Sequence, residues 1–186
     1  KILQITPFEN LYIPSAGHDA GISMGAAQYY YFNALQNKRV EPLYDVNLGI
    51  SFTNIQIKQI LDDKELKYSF KEDKELFPFV AKAISNSGVI GFFDGKAEFG
   101  SRALGSRAIL ANPRNEKAQQ LLNKKINKRE SFRPFAPSIL EEYDNEFYEN
   151  YQFTKFMERV LPIKKEKQKC IPAVTHVDGS GRLQSV

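Results

Sequence analysis

The chain has little cysteine and no long apolar segment, and each absence narrows the class of protein. Cys170 is the single cysteine, which excludes an internal disulfide framework and favours a reducing, cytoplasmic compartment. The uncharged segment 20–37 is interrupted by polar and small residues such as Gly21 and Ser23, which excludes a membrane-spanning helix. The chain begins at Lys1 without a methionine or an apolar leader, which predicts a piece excised from a longer protein.

The remaining composition is that of an ordinary globular protein. The 186 residues are 42% hydrophobic and 26% charged, which excludes a disordered or collagen-like chain. This length corresponds to little more than one domain. It allows roughly 70% of the surface of the unfolded chain to be buried, so we expect folding that needs no cross-link.

The net charge of +4 is distributed unevenly along the sequence. Segment 96–133 carries ten basic and three acidic residues, a net charge of +7, and an acidic stretch follows it at 141–149. A local excess of positive charge favours an anionic partner such as a phosphate, a nucleotide or a nucleic acid. For Lys117, Lys124 and Lys125 the alternative is an ordinary solvated helix surface.

Hydrophobic spacing and turn residues predict alternating helices and strands, which indicates an α/β or α+β fold. Asp19 is placed to cap a helix containing Gly21 and Gly25, and glycines inside a helix need a packing or ligand reason. A capping-box pattern opens a second helix at Thr53. The later elements are a helix through Leu76 and Val80 that stops at Gly88, a strand at 89–93, a helix from Asn112 to Ile126, and a strand at 135–140.

The stretch 95–107 has the composition of an anion-binding loop. Its three glycines recur at five-residue intervals, and Arg102 and Arg107 follow two of them. Glycine lets the backbone approach a phosphate, backbone N–H groups can point inward, and guanidinium groups bind phosphate through two parallel hydrogen bonds. The stretch is neither a Walker A loop nor a GxGxxG fingerprint, so it indicates phosphate binding without identifying a loop class.

A second candidate block lies at 129–137, with the sequence RESFRPFAP. Arg129 and Arg133 stand on either side of Phe132, and two prolines restrict the backbone after them. Such a block could clamp a nucleotide, or it could be a surface turn.

These blocks together resemble a known family. Residues 95–110 (GKAEFGSRALGSRAIL) are similar to the pattern Gly-Arg-x-Glu-Phe-Gly-Pro-Arg-Ala-Leu-Gly-x-Arg-Ser-Ile-Leu of nodulation-type O-carbamoyltransferases, and 129–137 are similar to that family's Arg-Glu-x-Phe-Arg-Pro-Phe-Ala-Pro. Residues 14–27 (PSAGHDAGISMGAA) and 171–186 (IPAVTHVDGSGRLQSV) also resemble family stretches. The resemblance covers nearly the whole chain and is weakest at 38–75.

The resemblance implies an α/β (α+β) fold in three parts. Residues 1–37 are expected to be the tail of an actin/sugar-kinase-like carbamoyltransferase domain, and 38–70 a linker with a short helix. Residues 71–186 are expected to form a YrdC-like domain, an open twisted sheet with flanking helices, truncated at its C-terminus.

The resemblance also implies an activity and its partners. In the family, the YrdC-like domain uses carbamoyl phosphate and ATP with Mg²⁺ to make carbamoyl-adenylate. The N-terminal domain, which holds iron or another divalent metal, then transfers the carbamoyl group to a hydroxyl of an acceptor. We therefore expect ATP, carbamoyl phosphate, an unidentified hydroxyl acceptor and the remainder of the N-terminal domain as partners, and no membrane. The chain alone is not expected to complete the transfer.

Individual roles follow from the matched positions. The catalytic candidates are Arg102, Arg107, Arg129 and His176, the candidates for cofactor binding are Gly100, Ser106, Lys128, Arg133 and Arg182, and the candidate metal ligand is Asp19. The four arginines of the two blocks are expected to converge on one anion site. His176 would polarise the carbamoyl group or bind phosphate, or it is a hydrogen-bonded loop residue. Glu98 is expected to orient a neighbouring arginine.

Three of the departures from the family pattern matter, and two other functions stay open. Lys96 stands in place of arginine, Ser101 in place of proline and Asn127 in place of lysine, and lysine and arginine are not equivalent at a site that binds through two parallel bonds. One alternative is an RNA-binding or nucleotide-binding YrdC-like module without carbamoyl transfer. Arginines among glycines and prolines in tight turns argue against nucleic acid. The other alternative is a non-catalytic scaffold that packs onto a partner domain.

Overall fold

The computed structural model describes residues 2–126, 128, 130 and 132–186. The helices are α1 Ile2–Ile5, α2 Gly21–Tyr29, α3 Asn54–Asp63, α4 Asp73–Ser85, α5 Ala118–Leu121, α6 Glu141–Phe147 and α7 Lys165–Gln168. π-Helical turns at Tyr30–Ala34 and Leu122–Ile126 continue α2 and α5, and a 3-10 turn spans Pro172–Val174. The strands are β1 Val89–Phe93, β2 Arg107–Ala111, β3 Ser138–Ile139, β4 Leu161–Pro162, β5 Ser180–Gly181 and β6 Gln184–Ser185. The predicted mixture of helices and strands is confirmed.

The predicted start of α2 is wrong at its cap. Ala20 is the residue before the helix, and no side chain caps the first turn, so Asp19 does not perform the predicted role. A Cβ at Gly21 would lie 2.1 Å from the carbonyl oxygen of Ala16, whereas a Cβ at Gly25 would meet nothing within 4 Å. The expected packing reason therefore exists for Gly21 alone.

Helix α3 begins as predicted. The backbone N–H of Gln56 donates to Thr53 Oγ1 at 3.3 Å, and the side-chain oxygen of Gln56 accepts from the Thr53 backbone N–H at 2.9 Å. These two reciprocal bonds satisfy donors that the first turn of a helix otherwise leaves without partners.

Helix α4 is also confirmed, but its end differs in detail from the prediction. Ser87 takes the left-handed conformation, with φ 66°, and its N–H donates to Ile84. The N–H of Gly88 donates to the carbonyl of Ala83 at 2.8 Å. This is a Schellman motif. Gly88 is needed because a Cβ there would lie 2.6 Å from the oxygen of Ala83.

Strands β1 and β2 form an antiparallel pair in which Val89 lies opposite Ala111 and Phe93 opposite Arg107. Strand β1 is confirmed, whereas β2 was not predicted, although the apolar run 108–111 was a signal for it. The glycine-rich stretch is therefore the long connection of a β-hairpin. It begins with a bond from the Asp94 N–H to the carbonyl of Ser106, at 2.9 Å.

The other strands are two residues long. Strands β3 and β6 pair in parallel, and β4 and β5 pair antiparallel. The described residues thus form three two-stranded sheets, and the single open sheet of the prediction is not observed among them. Pro137 directly precedes β3, and Pro162 ends β4. Because proline has no N–H, neither strand can donate a backbone hydrogen bond to the neighbouring strand at these residues.

Helix α5 begins later than the predicted Asn112. The side chains of Asn112 and Asn115 accept hydrogen bonds from the backbone N–H groups of Arg114 and Lys117, each at 3.0 Å. Asparagine makes such local turns readily, so two turns precede the helix.

The buried core lies in the C-terminal part of the chain. Its buried members are Tyr148, Ile163, Ile171, Val174 and Leu183. Helices α2, α3 and α4 contribute no fully buried residue. The core is therefore formed by residues that follow β3, and Phe135 of the cavity wall packs against it.

Candidate anion-binding site

A cavity of about 690 Å³ lies against the β1–β2 pair and contains three of the predicted arginines in its wall. These are Arg102, Arg107 and Arg182, and apolar side chains such as Phe92 and Phe135 line the remainder. The described residues that line the cavity include no aspartate or glutamate. A cavity of this size suits a small-molecule ligand, and its charge favours an anion.

Glu98 organises the hairpin connection beside the cavity. Its Oε1 accepts hydrogen bonds from the backbone N–H groups of Leu104 (2.8 Å), Ser106 (2.7 Å) and Arg107 (3.1 Å). Its Oε2 accepts from Arg107 Nε at 2.9 Å. Burial alone would raise the pKa of Glu98, but the bonds from Arg107 and the backbone outweigh burial and hold that pKa at about 2. The prediction that Glu98 orients an arginine is confirmed.

This arrangement corrects the expected backbone cradle. The N–H groups of Leu104, Ser106 and Arg107 bind the Glu98 carboxylate and are therefore not available to a phosphate. Gly105 makes the turn between them, with φ 118°, a conformation that favours glycine. Any anion in the cavity would thus be held mainly by guanidinium groups.

The three arginines of the cavity wall differ in their contacts. Arg107 is held at both ends of its guanidinium, since Nη2 also donates to the carbonyl of Glu98 at 2.7 Å. Arg102 donates from Nη1 to the carbonyl of Phe156 at 3.1 Å. Arg182 precedes Gln184, whose side-chain amide donates to the carbonyl of Leu104 at 2.7 Å. The wall therefore joins the hairpin connection to β6.

The second block reaches the cavity through its apolar residues. Pro134, Phe135 and Ala136 line the cavity, but Arg133 does not. The Nε of Arg133 pairs with Glu130 at 2.7 Å, and both side chains are more than half exposed, so the pair contributes little stability. The structure thus does not bring Arg133 to the wall.

Several predicted site residues lie elsewhere. Gly100 and Ser106 belong to the hairpin connection but not to the cavity wall. Gly100 packs on Ser15, whose carbonyl oxygen would lie 3.5 Å from an added Cβ. Lys128 is exposed and is not among the lining residues. Arg129 and Asn127 lie outside the described residues.

His176 is a hydrogen-bonded loop residue that does not line the cavity. The Ser180 hydroxyl donates to Asp178 Oδ1 at 2.6 Å, and it lies 3.1 Å from His176 Nδ1. The hydroxyl therefore accepts from Nδ1–H, which assigns the proton of the neutral ring to that nitrogen. Burial lowers the pKa of His176; the positive charge of Arg182 lowers it further, and Asp178 opposes both.

Asp19 is exposed and can supply at most one metal ligand. The described part of the chain contains no group of three or more histidine, cysteine, aspartate or glutamate residues able to hold an ion. The adjacent His18 accepts the Ala20 N–H on Nδ1 at 3.3 Å. These residues do not by themselves fit a metal centre.

Gln184 and Met157 are among the residues of the cavity wall that sequence reasoning missed. Gln184 lies in a stretch that carries the family resemblance, so its position was a signal. Met157 lies in a segment without a motif, and no signal pointed to it.

Among the described residues, no helix is both long and apolar enough to cross a membrane.

The motifs agree with a comparison against known families. A family model described as the carbamoyltransferase C-terminus matches residues 81–186, more than half of the chain. The chain belongs to this family, and the resemblance to nodulation-type carbamoyltransferases is confirmed.

Individual relatives match the chain over its whole length. The nodulation protein NolNO of Sinorhizobium fredii is 37% identical over 190 aligned positions, which cover 100% of this chain and 28% of that protein. NolO of Bradyrhizobium diazoefficiens is 37% identical, with 100% of this chain and 35% of that protein covered. An uncharacterized protein of Synechocystis sp. is 36% identical, with coverages of 100% and 34%. The chain spans about a third of the length of these relatives.

Proposed function

We propose that this chain is the part of an O-carbamoyltransferase that binds ATP and carbamoyl phosphate and forms carbamoyl-adenylate. The observation that carries the proposal is the cavity whose wall contains Arg102, Arg107 and Arg182 beside apolar side chains. A nucleotide has the matching chemistry, because its phosphates pair with guanidinium groups and its base packs against an apolar wall.

In the proposed reaction, water cleaves carbamoyl phosphate to carbamate and inorganic phosphate. A carbamate oxygen then attacks the α-phosphorus of ATP, the bond between the α- and β-phosphates breaks, and pyrophosphate leaves. The acceptor hydroxyl finally attacks the carbamoyl carbon and AMP leaves. Negative charge accumulates on phosphate oxygens in these steps, so rigidly held cations are the main contribution required of the protein.

Glu98 supports this chemistry by holding Arg107 in a fixed orientation. Its pKa of about 2 means that the carboxylate stays charged throughout the neutral range. Because Glu98 neutralises much of the Arg107 charge, Arg102 is expected to attract phosphate more strongly than Arg107 does.

The wider assignments belong to the same proposal. Mg²⁺ would enter on the phosphates of ATP, since the described cavity wall offers no carboxylate. We assign a YrdC-like fold to the C-terminal part of the chain. Residues 1–37 are assigned to the tail of an actin-like domain, in which Asp19 would supply one metal ligand and residues outside this chain would supply the others. The hydroxyl acceptor and the remainder of that domain are the further partners, and a cytoplasmic location agrees with the exposed Cys170.

Calorimetric titration of ATP at one fixed salt concentration tests the proposal. Arg102→Gln and Arg182→Gln each remove charge-assisted bonds of roughly 1.5–3 kcal/mol, so affinity should fall about ten- to a hundredfold. Arg114→Gln is the matched control, because Arg114 is exposed and does not line the cavity. Pyrophosphate release should require both ATP and carbamoyl phosphate.

Equal losses in all three variants would contradict a specific cavity and indicate a general charge effect. An absence of ATP binding in the unmodified protein would contradict the proposal itself. Failure to bind any nucleotide or phosphate would favour the scaffold alternative.

An RNA-binding module is the second candidate. The observation in its favour is a group of exposed cationic residues on one stretch of chain, with Phe132 79% exposed near its end. The cationic residues are Arg114, Lys117, Lys124 and Lys128. An RNA affinity that falls steeply with salt, together with no ATP binding, would favour this function.

A further inference from the structure

Residues 154–159, here called the strap, contribute one residue to the wall of the cavity. Met157 lines the cavity, and both ends of the strap are tethered to distant parts of the chain. The N–H of Ser185 donates to the carbonyl of Thr154 at 2.7 Å. At the other end, Arg159 Nη2 donates to the carbonyl of Leu11 at 3.1 Å.

Two further bonds hold the middle of the strap. Arg102, itself a cavity residue, donates to the carbonyl of Phe156 at 3.1 Å. The N–H of Phe156 donates to Glu158 Oε2 at 2.7 Å. Phe156 is only 3% exposed, so its ring anchors the strap below the surface.

Between these bonds, Met157 takes a left-handed conformation with φ 55°. Residues other than glycine seldom adopt this conformation, and they keep it where the surroundings over-determine it. The hydrogen bonds of Phe156 and the carboxylate of Glu158 supply that constraint, and the result is a methionine placed at the cavity wall.

We propose that Met157 is a specificity-determining residue that packs against the base of a nucleotide bound in the cavity, and that Glu158 is the residue that positions it. This inference rests on the proposed function. The phosphates would pair with the guanidinium groups of the wall, and Arg102 links that cationic part directly to the residue before Met157. A thioether makes favourable contacts with an aromatic ring, so the base is the part of the ligand that Met157 recognises.

Methyl NMR provides a direct test, because the chain has two methionines. With ¹³C-methyl methionine, the Met157 signal is assigned by its loss in Met157→Leu, and Met24 is the internal reference. ATP should shift the Met157 signal through the ring current of its base and leave Met24 unchanged. Inorganic tripolyphosphate, which has the phosphates without the base, should shift Met157 much less.

Affinities of the same two ligands test the roles of both residues. Met157→Ala should lower the affinity for ATP about three- to tenfold and leave the affinity for tripolyphosphate unchanged. Glu158→Ala should have the same selective effect, whereas Glu158→Gln should restore ATP binding because its amide oxygen can still accept from the Phe156 N–H. A general loss of structure would weaken both ligands equally.

The outcomes separate this inference from the proposed function. If ATP binds by calorimetry but the Met157 signal and the selectivity do not change, the inference is wrong and the proposed function stands. Equal weakening of both ligands in the Ala variants likewise overturns it. If the unmodified protein binds neither ligand, both are wrong.

Discussion

At the scale of single residues, Glu98 determines how the hairpin connection is built. A carboxylate that is 4% exposed would be costly to bury alone, and here it accepts four hydrogen bonds from a loop of the same chain. Those hydrogen bonds lower the pKa of the Glu98 carboxyl to about 2. Glu98 thereby occupies backbone donors that would otherwise be free to bind phosphate.

The stability of the protein should therefore depend on Glu98 in acid. Its pKa is about 2 in the folded state against 4.5 without the fold, so its contribution is present above pH 4.5 and is lost as pH falls towards 2. We expect the loss to be about 2–3 kcal/mol. Urea unfolding at several pH values measures it.

The control for this prediction is a surface glutamate. Glu98→Gln should remove this part of the pH dependence and lower stability at neutral pH, whereas Glu149→Gln, at an exposed position, should leave both as in the unmodified protein. A pH profile that Glu98→Gln does not change would contradict the role assigned to Glu98.

At the scale of elements, helix α2 contains two glycines with different environments. Gly21 begins the helix where the backbone of Ala16 passes too closely for any side chain, and Gly25 lies in open space four residues later. The close approach at Gly21 connects α2 to the segment that carries Ser15 and Ala16, both buried. Glycine thus serves packing at one position and only weakens the helix at the other.

Alanine substitutions at these two glycines should have opposite effects. Gly21→Ala places a Cβ 2.1 Å from a backbone oxygen, so it should destabilise the protein by about 1–3 kcal/mol. Gly25→Ala should stabilise the helix by about 0.5–1 kcal/mol. Helix content by circular dichroism during urea unfolding measures both, and effects of the same sign would contradict the packing explanation.

At the scale of the whole molecule, part of the predicted linker packs against the glycine-rich connection. The N–H of Phe99 donates to the carbonyl of Val46 at 2.7 Å, and the N–H of Gly49 donates to the carbonyl of Ala97 at 2.9 Å. Val46 is 6% exposed. Residues 46–50 therefore support the start of the stretch that carries Glu98 and the cavity arginines.

Hydrogen exchange distinguishes this contact between residues 46–50 and 97–99 from a flexible linker. The amides of Gly49 and Phe99 should exchange slowly because each donates to a backbone carbonyl of the other segment. The amides of 67–70, which are exposed, should exchange within the first time points. Equal, fast exchange in both regions would mean that 38–70 is a linker throughout.

Several local elements and the family could be predicted from the sequence alone. The capping box at Thr53, helix α4 and strand β1 follow from hydrogen bonds and periodicities within a few residues, so they could be predicted without the fold. The long motifs around Arg102 and Arg107 were sufficient to identify the carbamoyltransferase family.

Which side chains meet depends on the tertiary structure. Arg182 joins Arg102 and Arg107 in one cavity, Met157 lines the same cavity, and Arg133 turns away to Glu130. Such convergence depends on how separate elements pack. It also depends on which backbone N–H groups are already bound by the Glu98 carboxylate. Spacing along the chain carries neither kind of information, because contacts between distant residues arise only when the core brings their elements together.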